Sequence, residues 1–277
     1  MNTSAPCIAS LDVKEQIGSL NLSFTEDFHP FIEGDLSTKS EVGIILPTYC
    51  ESANIEKLVN ELESLNLNLS ILVIDDSSPD GTGIITRALQ RKHTNILLIT
   101  RPGKTGLGTA ITDGFKVFLS LNKPPKYIVT MDADYSHNPK DVPRVVSAAK
   151  KGNGLAIGSR YCKGGRIENW SPLRLLTSHI ANAIATIRVK ARIHDYTSGL
   201  RCYSTKLVKA IVPDLHRQTY EIQIETIRQA CKRGFNVKEV PMTFVNRKKG
   251  KSKLSTNEIR EFITYIIRLK TSSTPAR

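Results

Sequence analysis

Apolar residues along the chain fall into short runs of strand length that alternate with stretches of helical spacing. The first clear run, "EVGIILPTY", is β-branched, apolar and ended by Pro47, which predicts a strand at about 42–47. "SANIEKLVNELESL" follows with apolar residues three and four apart, a helix with Ser52 as its N-cap and Glu56 in its first turns. "LSILVIDDSSPDGT" repeats the theme of strand then polar loop, and "GIITRALQRK" reads as a second helix. "NILLIT", "KYIVTMD" and "GLAIGSR" are further strands, separated by the helices "GLGTAITDGFKVFLSL" and "KDVPRVVSAAKK". Strands alternating with helices imply parallel βαβ units with right-handed crossovers. The expected fold class is therefore α/β, a doubly wound, mostly parallel sheet with helices on both faces.

Beyond Arg160 the alternation weakens into a long helical stretch at about 172–191, a loop "DYTSGLR", and further helix and strand around 219–245. That half reads as a basic, largely helical elaboration packed on the sheet, not a second copy of it. Residues 1–40 lack sustained periodicity and are expected to be a weakly structured extension. The expected organisation is that extension, one domain over 41–270 divided at 159/160, and a short tail, 271–277.

Charge sharpens the division. Of the formal +13, residues 1–159 hold 15 Lys/Arg against 18 Asp/Glu, while residues 160–277 hold 24 against 8. A basic second half points to a polyanion or an anionic surface. Nucleic acid fits less well than lipid headgroups or a phosphorylated substrate, because only 6% of residues are aromatic. No apolar run reaches the ~18 residues of a membrane span, and the N-terminus lacks the charged and apolar blocks of a secretory signal. Five scattered cysteines with no C-x-x-C pair suit reduced thiols in the cytoplasm better than disulfides or a zinc site.

Candidate chemistry sits at three strand ends: "PTYCES", "DDSSPDGT" and "DADYSHNP". Each has an ordinary reading, since Pro79-Asp80-Gly81 is a common turn and a lone D-x-D arises by chance. Together, at the carboxyl ends of strands in one parallel sheet, they define a cleft where such sheets bind ligands. Two carboxylates as close as Asp132 and Asp134 repel unless a cation or proton sits between them. Other signatures fail. "GKT" at 103–105 lacks the earlier glycine of a phosphate loop, no G-x-G-x-x-G opens the first helix, and there is no H-E-x-x-H or G-x-S-x-G.

"LPTYCESANI", "VIDDSSPDGT", "GLGTAITDGF", "MDADYSHNP", "GSRY", "DYTSGLRCY", "EIQIE" and "VPMTFVNRKKGKSKL" occur in that order. Together they closely resemble the family-2 glycosyltransferases of the dolichol-phosphate mannose synthase type. The resemblance implies a GT-A fold and inverting transfer of mannose from GDP-mannose to dolichyl or another polyprenyl phosphate, giving a β-linked lipid phosphate sugar. It implies that Asp132 and Asp134 hold Mg²⁺ or Mn²⁺ against the donor diphosphate, with Ser136 standing where a glutamine ligand often follows. Pro47, Tyr49, Glu51, Ile74 and Asp76 would hold the nucleoside, with Ala133 beside the donor. Arg247 and Lys253 would close over the diphosphate. Arg160, Arg174 and Ser178 would grip the acceptor phosphate, with Asp134 and Arg160 closest to the chemistry and Asp195 shaping the loop behind. Family members reach the membrane through C-terminal spans or a partner subunit. A small anchoring subunit is thus one expected partner, and the apolar face of "EIREFITYIIRLK" is another route to a membrane surface. The expected location is cytoplasmic, peripheral on the cytoplasmic face of a membrane. The same lipid-phosphate chemistry with UDP-glucose or a UDP-N-acetylhexosamine stays open, as, more distantly, does a nucleic-acid-binding α/β protein.

Overall fold

In the computed structural model, residues 32–35, 37, 39–246 and 264–265 are described. Strands buried on both faces need continuous apolar runs, not alternation, and the chain supplies them. β2 (Val42–Thr48) is buried at six of its seven positions and β3 (Leu69–Asp75) at all seven. β4 (Ile96–Thr100), β5 (Tyr127–Thr130) and β6 (Leu155–Ser159) follow the same rule. The crossovers are α1 (Ser52–Glu63), α2 (Thr82–Lys92), α3 (Leu107–Ser120) and α4 (Val142–Lys150).

The second half gives β7 (Arg166–Glu168), α5 (Pro172–Val189), β8 (Arg201–Ser204), α6 (Thr205–Ile211), α7 (Ile222–Lys232), β9 (Val237–Pro241) and β10 (Thr243–Val245). Counting an edge strand β1 (Ile32–Glu33), the main sheet runs β1-β4-β3-β2-β5-β8-β6-β9, and β7 and β10 form a small parallel pair. Neighbours from β4 to β5 are parallel, as are β6 and β9, whereas β8 runs antiparallel to both β5 and β6. Successive side chains of a strand face opposite sides. Accordingly Ile45 joins a core with Phe115 and Phe118 of α3 and Ile222 of α7, while Ile44 and Leu46 join one with Ile55 and Leu58 of α1 and Val145 of α4.

Three details differ from the sequence expectation. The second half is not only packed on the sheet: β8 and β9 are part of it, and β8 separates β5 from β6. Within the expected extension, β1 pairs with β4 and is held by Glu33, which takes both Nε and Nη2 of Arg87 at 2.8 Å. Ser52 is not the N-cap of α1. It is the first helical residue, and its N–H is taken by Asp80 Oδ2 of the neighbouring loop at 2.9 Å. Arg201 of β8 is fully buried and donates to the carbonyls of Tyr196, Ser198 and Gln223 and to Thr226 Oγ1, tying the 195–199 loop to α7.

Candidate active site

The parallel register fixes where the loops meet. Pro47 lies opposite Ile74 and Thr48 opposite Asp75, and Asp75 lies opposite Thr100. Hydrogen bonds carry the alignment into the loops: Asp76 N–H to Thr48 O at 3.1 Å, and Arg101 N–H to Asp75 O at 2.8 Å. The loops after β2, β3 and β5 each turn through one non-glycine residue of positive φ: Cys50 (56°), Ser77 (49°) and Tyr135 (60°). Such residues cost on the order of 1 kcal/mol or more apiece and cluster at functional sites, where tight turns aim the neighbouring side chains.

On the donor side, Asp75 is committed to structure, accepting from Thr48 Oγ1, Ser78 N–H and Ser78 Oγ. Asp76 pairs with a residue that sequence reasoning passed over, Arg101, whose Nε lies 2.6 Å from Asp76 Oδ1. Arg101 also reaches Thr109 Oγ1, Asp113 Oδ2 and Gly106 O, and its side chain is 2% exposed. Burial pushes the carboxyls of both Asp76 and Asp113 up, with Arg101 opposing. Glu51 is buried and takes Asn54 Nδ2 on Oε2 at 2.9 Å. Tyr49 and Pro47 are half-buried at the rim, whereas the Ile74 side chain is fully buried in the core, leaving its main chain to face the loops. Asp80 accepts from Ser52 N–H and from Thr82 N–H and Oγ1. Partial burial would raise its carboxyl, but these bonds hold it down at about 2.

At the tip of β5, Asp134 is buried and accepts Ser136 N–H (3.0 Å) and Ser136 Oγ (2.5 Å) on one oxygen, Oδ1. Ser136 therefore faces Asp134 and fixes its orientation. Ala133 is buried in the core between the two acids. Asp132 is the more open of the pair, its side chain 39% exposed. A Cβ on Gly199 would lie 2.9 Å from Asp132 Oδ1, so glycine is needed where the loop before β8 closes on the carboxylate. Among the described residues no group of three or more His, Cys, Asp or Glu could hold a metal. Two hard carboxylates at a strand tip suit a divalent cation that completes its shell with substrate phosphate and water.

Past β8, the site turns cationic. Arg160, the residue after β6, is buried, with Nε 2.7 Å from Asp195 Oδ2 and Nη2 2.6 Å from Oδ1. Asp195 also takes the N–H groups of Arg160, Thr197 and Ser198. Burial disfavours both charges, but their mutual attraction wins, so Arg160 is pushed up and Asp195 down. Asp195 is thus loop cap and counter-ion at once. Arg174 comes from the first turn of α5 and bonds Asn246 Oδ1 at 3.0 Å. The two guanidiniums meet at one ring: Trp170 has Arg160 Cζ 5.3 Å and Arg174 Cζ 4.1 Å from its centroid. Ser178, one helical turn after Arg174, takes the Tyr161 hydroxyl at 2.8 Å. The structure thus brings together Asp132, Asp134 and Ser136 at one strand tip and Arg160, Arg174 and Ser178 around Tyr161 and Trp170. Arg247 and Lys253 lie outside the described residues, as does the helix expected over "EIREFITYIIRLK" except for Thr264 and Tyr265, which are helical.

Arg101, His137, Tyr161 and Trp170 had no place in the sequence expectation. A basic residue directly after the "NILLIT" strand was the available signal for Arg101, and the only tryptophan of the chain the signal for Trp170.

The glycosyl transferase family 2 model matches residues 43–212. A polyprenol monophosphomannose synthase of Mycolicibacterium smegmatis is 38% identical over 79% of this chain and 82% of its own length. A dolichol-phosphate mannosyltransferase of Pyrococcus furiosus is 36% identical over 83% of this chain, which spans 63% of that relative. Among solved structures, glucosyl-3-phosphoglycerate synthase of Mycobacterium tuberculosis with UDP is similar at TM-score 0.61 and 16% identity, over 86% of this chain and 83% of that one. A mannosyltransferase of Pyrobaculum calidifontis with GDP-Man and Mn²⁺ has TM-score 0.56 and 16% identity, over 93% and 68%. These likenesses show the GT-A fold. In sequence and in fold, this chain belongs to glycosyltransferase family 2 and is a glycosyltransferase.

Proposed function

We propose that the protein transfers mannose from GDP-mannose to a polyprenyl phosphate such as dolichyl phosphate, inverting the anomeric carbon. The observation that carries this reading is the pair of guanidiniums, Arg160 and Arg174, converging on Trp170 beside the β5 carboxylates. A sugar hydroxyl acceptor needs a general base. A lipid phosphate is already an anionic oxygen nucleophile and needs cations to position it, which guanidiniums supply by charge and hydrogen bonds. Arg160, whose Nε and Nη2 are taken by Asp195, has Nη1 left for it. The names of the two curated relatives give the same acceptor class. On the donor side, Asp76 and Glu51 are carboxylates suited to guanine N–H groups or ribose hydroxyls, with Tyr49 at the rim to stack on the base. Mg²⁺ or Mn²⁺ held by Asp132 and Asp134 would neutralise charge on the departing diphosphate.

The acceptor implies a membrane, and α5 offers a face for one. Leu173, Leu176, Ile180 and Ile187 are 71%, 57%, 50% and 67% exposed, and their spacing of three, four and seven puts them in one stripe. The same helix carries Arg174 and Ser178. Such a helix lies in a lipid interface with its apolar stripe among the acyl chains, and the basic half favours an anionic, cytoplasmic leaflet. No helix of the described residues is long and apolar enough to cross a membrane. The deciding experiment offers purified protein labelled GDP-mannose or UDP-glucose, with Mn²⁺, and either a short polyprenyl phosphate or the free polyprenol. Mannose transfer to the phosphate alone is expected. Transfer to the alcohol, or preference for the UDP-sugar, would overturn the reading.

A further inference from the structure

His137 lies three residues past Asp134 and is fully buried, yet neither ring nitrogen has a hydrogen-bond partner. Buried polar groups without partners are costly, and folded proteins keep few of them. The ring stands edge-on to Phe244, centroids 5.2 Å apart at 87°, and this packing fixes its plane. Its Nδ1 is 3.6 Å from Asp132 Oδ2. Closing about 0.5 Å would make that contact a hydrogen bond of ordinary length. On its other side Asp132 is bounded by Gly199, where a Cβ would come within 2.9 Å of Oδ1. The carboxylate therefore sits between a backbone and an imidazole, and its remaining face is the exposed one.

We propose that His137 is a positioning residue for Asp132: the tautomer with hydrogen on Nδ1 donates to Oδ2 and holds this carboxylate in the orientation that binds the divalent cation. His137 does not reach the cation itself, because it has no exposed surface. Groups that orient a ligand from behind in this way change metal affinity about 10–100-fold when lost. The inference rests on the proposed role of Asp132 and Asp134 as cation ligands.

The test titrates Mn²⁺ into the protein with GDP and follows the paramagnetic resonance of free Mn²⁺. Wild type is compared with His137→Phe, His137→Leu and His137→Asn, whose amide nitrogen can take the place of Nδ1. Thermal midpoints and metal-free GDP affinity are measured alongside. Mn²⁺ affinity should fall roughly 10–100-fold in the Phe and Leu variants and recover largely in Asn, with metal-free GDP binding unchanged throughout. A purely structural histidine would lower the midpoint without separating Asn from the apolar variants, and that pattern overturns the proposal. So does wild-type Mn²⁺ affinity in the Phe or Leu variant. If His137→Phe does not fold, the Leu and Asn pair decides in the same way. No Mn²⁺ binding by the wild type would remove the metal reading, and this proposal with it.

Discussion

Replacing Arg101 with methionine should destabilise the protein strongly, and more so at high pH than at low. Arg101 makes four hydrogen-bonding contacts, but they are unequal. Thr109 Oγ1 keeps its bonds to the carbonyls of Gly106 and Thr105, and Asp113 is 3.3 Å away with its side chain 16% exposed. The loss falls mainly on Asp76, 2.6 Å away and 9% exposed. Removing one partner of a buried ion pair costs about 3–5 kcal/mol, which for a chain of this size lowers the melting midpoint by roughly 6–20 °C. The pH dependence follows from the direction of the shift. Burial already pushes the Asp76 carboxyl up, with Arg101 opposing, so without Arg101 the folded value rises further. A carboxyl raised above its unfolded value of about 3.9 binds more protons folded than unfolded, so stability falls as pH climbs from there through the folded value. The mutant's deficit should therefore be small near pH 4–5 and largest near pH 8. Urea unfolding of wild type, Arg101→Met and the Arg101→Met/Asp76→Asn double variant at both pH values measures it. The double variant should recover most of the loss at pH 8. A deficit under about 1 kcal/mol, or one equal at both pH values, would refute the reasoning.

Arg174→Ala should raise KM for polyprenyl phosphate by roughly 10–100-fold, the value of a hydrogen bond to a charged group, and leave KM for GDP-mannose unchanged. Steady-state kinetics on both substrates checks this, and emission from Trp170, the chain's single tryptophan, should respond to the acceptor in wild type but not in the variant. Asp80 is held down at about 2, so its stabilisation is present above pH 4 and lost as pH falls toward 2. The urea midpoints of wild type and Asp80→Asn should accordingly differ at pH 5 and converge on acidification. Arg201→Ala would strand the buried carbonyls of Tyr196 and Ser198, at about 1–3 kcal/mol each, while Gln223 O keeps Thr226 Oγ1, and should show as a large drop in thermal midpoint or as failure to fold.

Much of this architecture was legible in the sequence because of where it is buried. Strands such as "GIIL" and "ILVI" are covered on both faces, which forces unbroken apolar runs that stand out against polar loops. β8, "RCYS", begins with an arginine whose charge is met by carbonyls from elsewhere in the fold, so it carries no strand signature. β1, two residues long, has no period at all. In the site, the acidic loops announced themselves as polar ends on apolar strands. The pairs Asp76–Arg101 and Arg160–Asp195 did not, because they join residues 25 and 35 positions apart, and only the strand order brings them together. The cap of α1 was misassigned for the same reason: Ser52 has the right chemistry for a local cap, but a carboxylate from the next loop takes its N–H.

The placement of β8 also bears on how the chain reaches its native state. β2 to β5 are neighbours in space and complete once residue 130 has been made, so this block can close early, as N-terminal units do during synthesis. β6 cannot then simply add to β5, because the strand between them arrives only at 201–204. Until it does, β5 and β6 each present a row of unpaired backbone groups, an edge open to wrong partners. Pairing of such long sequence separation is slow, since loop closure must precede the contacts that reward it. Insertion of β8 brings Gly199 against Asp132, and through the bonds of Arg201 it fixes the loop holding Asp195 beneath Arg160. A nascent or partly unfolded chain therefore has both β5 aspartates but no finished site, and catalysis becomes available only once β8 has taken its place between β5 and β6.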